Sequence, residues 1–211
     1  MARGIRTEGG YLRRLVAAPE RWQAVPRRDL VLFDATSLSI LGLAWRKDQF
    51  TVISVHDEPN SLTLMTPRVV GLTLRYLLRF WRISHAHQAA TLHSLAPKLV
   101  VTTVDQDSFF HRLASEFTSA QFVAIQNGTR DWRGTLGSGK SREFKSHLLC
   151  LGQYDIDSLS QLGITFKSIQ AIGSLKFGYW ESQSKRQCAS ANEQTFNYDL
   201  CLISQFRYIR P

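Results

Sequence analysis

Two acidic residues, Asp105 and Asp107, stand just past a β-branched run from Lys98 to Val104. A carboxylate beside a substrate hydroxyl lowers the cost of removing its proton, so both are candidate general bases. Asp107 fits a second duty equally well. It precedes a helical pattern, where its oxygen would accept backbone N–H bonds as a cap. Asp105 lies one step too early for that.

Three further apolar runs end on polar or small residues. The first, Asp29 to Phe33, closes on Asp34. The run Gln121 to Ile125 is followed by Gln126, Asn127, Gly128, Thr129 and Arg130. The run Ser168 to Ile172 is followed by Gly173 and Ser174. Carboxamide, carboxylate and guanidinium groups at such ends can bind hydroxyls, carboxylates or phosphates. Asp34, Gln126, Asn127, Gly128, Arg130, Gly173 and Ser174 are therefore the candidate substrate-binding residues.

Other chemistries find less support. His85 and His87 are two apart, a spacing that puts the rings on different sides of a helix. No Gly-x-Ser-x-Gly elbow occurs, and no metal ligand set or cofactor is expected. Gly134-x-x-x-x-Gly139-Lys140-Ser141 matches a phosphate-binding loop letter for letter. A true loop of that kind joins a strand directly to a long helix, and neither flank supplies it. ATP binding that depends on Lys140 would mark that alternative.

These groups need a scaffold, and the apolar pattern supplies one. Strands are expected at 29–34, 50–55, 62–65, 98–104, 121–125, 147–151 and 168–172. Helices are expected at 37–45, 68–83 after Pro67, 85–95 capped by Ser84, 107–117 and 154–162. Gln126 to Ser146 reads as a long glycine-containing loop. Short apolar strands alternating with helices predict an α/β fold, a Rossmann-like parallel sheet with helices on both faces, over about 29–180. In such sheets ligands bind beyond the carboxyl ends of the strands, so Asp34, Asp105, Asn127 and Gly173 should share one rim.

Residues 181–197 are polar and read as a linker, and 198–204 read as another strand. That strand suits either the start of a second α/β domain, otherwise absent, or an added edge of the first sheet.

Four segments in order resemble a bacterial family of surface carbohydrate biosynthesis proteins. They are 123–130, 147–154, 171–176 and 198–205. The resemblance implies a two-domain glycosyltransferase of the GT-B architecture, active in lipopolysaccharide or capsule pathways, of which this chain is the N-terminal, acceptor-side half. It implies a nucleotide-sugar donor held by the absent second domain, and a saccharide or lipid-linked acceptor on this one. Such a truncated chain would be inactive alone. A non-catalytic sugar- or nucleotide-binding module of the same fold is the alternative.

Composition sets the outer bounds. Of 211 residues, 44% are hydrophobic and 20% charged, which excludes a disordered chain. No apolar run reaches 18 residues, so no spanning helix is expected, and the head lacks the apolar core of a secretion signal. Cys150, Cys188 and Cys201 form no paired framework, as suits a reducing cytoplasm. Residues 1–28 carry seven arginines against Glu8 and Glu20, a net +5 of the total +9. This basic arm is either solvated or a peripheral contact with an anionic inner membrane. No nucleic-acid partner is expected.

Overall fold

The computed structural model describes residues 28–34, 41, 49–53, 66–80, 82–136, 142–175, 177, 178 and 181. The strands expected at 62–65 and 198–204 lie outside the described residues. So do nearly all of the arm over 1–28, the helix over 37–45 and the linker over 181–197. The chain divides into units 1–176 and 177–211, and the sheet belongs to the first.

Six strands form that sheet. They are β1 (Leu30–Leu32), β2 (Phe50–Val52), β3 (Leu99–Thr102), β4 (Gln121–Ile125), β5 (Glu143–Cys150) and β6 (Thr165–Ala171). The helices are α1 (Pro67–Phe80), α2 (Ile83–Leu95), α3 (Ser108–Glu116), the single turn α4 (Trp132–Thr135) and α5 (Gln153–Gln161). The strand order is β2-β1-β3-β4-β5-β6, and every pairing is parallel. This is the Rossmann-like α/β sheet that the alternation predicts.

The order reverses direction at β1. The chain steps one way from β1 to β2, then crosses back and adds β3 to β6 on the other side. Crossovers of constant hand must then lie on opposite faces. The packing shows this. Val31, Phe33, Val100, Phe122, Ala124 and Leu148 share one buried cluster with residues of α1, α2, α3 and α5. Leu32, Phe50, Val101 and Ile125, one step out of phase, share the second with Leu41, which lies between β1 and β2. Period-two alternation thus sends each strand's side chains to two different cores.

Aromatic packing anchors the first core. The Phe110 ring meets Phe33 at 5.5 Å and Phe122 at 5.3 Å, both edge-on. Such a ring removed to alanine costs about 3–5 kcal/mol.

Several element ends differ from expectation. β5 begins at Glu143, four residues before the apolar run, so the loop after β4 is shorter and holds α4. Phe144 and Ser146 point inward while Glu143 and Lys145 point out, an alternation too polar to read as an apolar run. This first half of β5 pairs only with β6, at Thr165 and Phe166, which also start that strand early. α1 ends at Phe80, and α2 starts at Ile83. Ser84 is therefore inside the helix and not its cap; Arg82 holds that position without a side-chain bond. Ala96 closes α2 in a left-handed conformation, φ 46°, just before Pro97.

Candidate functional site

Asp34, Asp105, Asn127 and Gly173 each follow a strand of one parallel sheet, so all four stand on its carboxyl rim. The rim is not uniform. Its groups fall into three parts.

The first part is the switch point between β1 and β3, where doubly wound sheets open a crevice. Asp34 is buried there, 2% exposed. Its Oδ2 accepts from Thr102 Oγ1 at 2.6 Å and from the Thr103 backbone N–H at 2.8 Å. The carboxylate ties the two strand ends together across the crevice.

The second part joins Asp105, Asn127 and Arg130. Asp105 is fully buried. Arg130 approaches it along one edge: Nε lies 3.1 Å from both carboxylate oxygens, and Nη2 lies 2.7 Å from Oδ1. Nη2 also donates to Asn127 Oδ1 at 2.6 Å. The remaining nitrogen, Nη1, reaches only the Thr129 carbonyl, at 3.5 Å. The guanidinium is thus held firmly on one side, with donor capacity left on the other.

Burial pushes the Asp105 carboxyl above its ordinary range, and the Arg130 contacts oppose this. The backbone of Asp105 is held as well. His111 Nε2 lies 2.8 Å from its carbonyl, and His111 Nδ1 lies 2.8 Å from Ser146 Oγ. A carbonyl only accepts, so Nε2 carries the proton and Nδ1 accepts from the Ser146 hydroxyl. Burial lowers the His111 pKa to about 4, which keeps this relay neutral.

Beside this lies a second buried knot. Gln126 Nε2 donates to Asp155 Oδ1 at 2.9 Å and to the Gly128 carbonyl at 3.0 Å, and its Oε1 accepts from Leu151 N–H at 3.0 Å. Trp132 Nε1 donates to the same Asp155 oxygen at 2.9 Å. Gln126 therefore stitches the loop after β4 to the loop after β5. At 1% exposure it is a scaffold residue and offers no surface to a ligand.

The third part, Gly173 and Ser174, follows β6, which stands three places from β3 in the sheet. Gly173 takes φ 79°, a turn that favours glycine. The side-chain bonds of Arg130 go to Asp105, Asn127 and Thr129, and none goes to these two residues.

Asp107 takes the capping duty. Its Oδ1 accepts from Phe109 N–H at 2.9 Å at the start of α3. Neither aspartate thus presents an unoccupied carboxylate to the rim: one is covered by a guanidinium, the other spans a helix end.

Outward from Arg130 runs an open cleft of about 480 Å³, lined by Arg130, Arg133, Tyr154, Ser158 and Gln161 among others. Tyr154, Ser158 and Gln161 lie one or two turns apart on one face of α5. Tyr154 is 78% exposed and lines the cleft together with Arg130 and Arg133. Asp131 caps α4 at the floor, accepting from Arg133 N–H at 3.1 Å.

His111, Ser146, Trp132 and Asp155 hold this site, and their types and spacing gave no separate sign of it. His85 stacks on Phe109 at 3.8 Å, away from His87, which is buried. Among the described residues no three His, Cys, Asp or Glu gather as a metal site would require. The phosphate-loop pattern falls mostly outside the described residues; its Gly134 sits inside α4. No family model, curated protein or solved structure matches this chain.

Proposed function

We propose that the rim cleft beside Arg130 binds a saccharide carrying negative charge, and that the chain is the acceptor-side domain of a GT-B-like glycosyltransferase of surface polysaccharide synthesis. One observation carries the reading. Arg130 is fixed by a buried carboxylate and by Asn127, keeps donor capacity on Nη1, and lines a cleft that also holds the exposed Tyr154. A guanidinium so held loses little freedom on binding an anion. An aromatic face beside it suits the apolar side of a sugar ring.

In this reading Asp105 is a positioning residue, acting through Arg130. The nucleotide-sugar donor would be held by a facing α/β domain, as the sequence resemblance implies. A second reading, a non-catalytic sugar- or nucleotide-binding module, draws on the engagement of both aspartates.

The test is calorimetric titration of the full chain with glucose 1-phosphate, a uronic acid oligosaccharide and a neutral oligosaccharide. The anionic ligands should bind, and Arg130→Gln should weaken them about ten- to a hundredfold, the value of a charged hydrogen bond. Tyr154→Ala should weaken all sugars and leave inorganic phosphate unchanged. Equal binding of neutral and anionic sugars, or none, sinks the proposal. Transfer from nucleotide sugars to a lipid-linked acceptor separates the enzyme reading from the module.

A further inference from the structure

A different surface carries an independent inference. α1 contains no acidic residue in its sequence, PRVVGLTLRYLLRF. One side is built into the core: Val69 and Phe80 are buried, with Leu72 and Tyr76 packed against the same cluster. The opposite side leaves Leu74 63% and Leu78 88% exposed. Four residues apart, these leucines stack on successive turns as one ridge. Beside the ridge stand Arg68, Arg75 and Arg79, and Arg82 follows the helix; all four are exposed.

The acidic counterweight is small. Arg79 pairs with Glu116 at 2.7 Å. Arg68, Arg75 and Arg82 have no ion-pair partner among the described residues, and the whole chain carries +9. An apolar ridge flanked by arginines, on a helix too short and too charged to span a bilayer, is the pattern of an interfacial helix.

We propose that this outer face of α1 docks on an anionic lipid bilayer. Leu74 and Leu78 enter the boundary between headgroups and acyl chains, and Arg68, Arg75 and Arg82 meet lipid phosphates. Charge decides among occupants. A second copy seated on the same face would set arginines against arginines. A nucleic acid would meet the leucine ridge, which offers it nothing. An anionic bilayer satisfies both halves of the face. Each arginine near such a surface raises partitioning about fivefold, and each leucine about tenfold.

The experiment is flotation of the full chain with vesicles of phosphatidylcholine alone, or mixed with phosphatidylglycerol. The chain should float with the mixed vesicles only, and release as salt shortens the Debye length to about 3 Å. Leu74→Ser with Leu78→Ser should cut partitioning about a hundredfold with an unchanged melting temperature, because neither side chain is in the core. Leu78→Phe should raise it. Arg68→Gln with Arg75→Gln should lower it about twentyfold on mixed vesicles. Failure of the parent chain to float overturns the proposal. So does flotation that the α1 substitutions leave unchanged, which would move the contact elsewhere. Concentration-dependent self-association abolished by Leu74→Ser with Leu78→Ser, without vesicle binding, assigns the ridge to a second copy and overturns it too.

Discussion

Asp34 and Thr102 are 68 residues apart in sequence and 2.6 Å apart in space, joined across the reversal point of the sheet. The bond is buried, and the same carboxylate oxygen serves the Thr103 backbone N–H. Asp34→Ala removes, away from water, the acceptor of that N–H and of the Thr102 and Thr103 hydroxyls. The expected cost is about 3 kcal/mol, read from urea unfolding, with Asp34→Asn costing less. A loss below about 1 kcal/mol would show that the tie adds little to the fold.

The Asp105–Arg130 pair should behave as buried pairs do. Asp105→Ala strands a guanidinium whose side chain is only 17% exposed, with an expected cost of about 3–5 kcal/mol. The double variant Asp105→Leu with Arg130→Met should recover most of that stability while losing anionic ligands. A double variant as unstable as Asp105→Ala alone would mean that the pair does more than neutralise itself.

His111 makes stability depend on pH. Its folded pKa, about 4, lies below the unfolded value near 6.5. The unfolded chain therefore binds the proton first, and this contribution is full above pH 6.5 and is lost as pH falls toward 4. Between pH 7.5 and 5 the parent should lose about 2 kcal/mol relative to His111→Gln. Asp105, whose pKa is raised, acts with the opposite sign, and it is common to both proteins. Parallel unfolding curves for the two proteins across that range would remove His111 as the cause.

Gly173 tests the backbone alone. An added Cβ would meet nothing within 4 Å, yet φ is +79°. Gly173→Ala should cost about 1–2 kcal/mol through conformation only, and Gly173→Asn less. The melting temperatures of the two variants check this order.

The sequence made the sheet legible because its central strands are unbroken apolar runs. Val100, Val101, Phe122 and Leu148 announce buried parallel strands by type alone. The start of β5 was hidden because half its residues face water. Of the site, the helix cap at Asp107 was visible, since capping is local. The Asp105–Arg130 pair was not, because its partners are 25 residues apart and each reads as an ordinary rim residue. His111 was similarly silent, as its value lies in a neutral, buried relay that no spacing encodes.

The reversed strand order also bears on how the sheet assembles. β3 to β6 are joined by short crossovers, and β4, β5 and β6 each lie beside the strand that precedes them in the chain. β1 and β2 come first from the ribosome, but two three-residue strands have too little pairing to persist alone. β1 must wait for β3, whose register it shares at Leu30 and Leu99. The earliest-made part of the sheet is thus a late joiner, and closing that long loop sets the pace. The amides of β4 and β5 should gain protection from hydrogen exchange ahead of those of β1, reversing the order of synthesis.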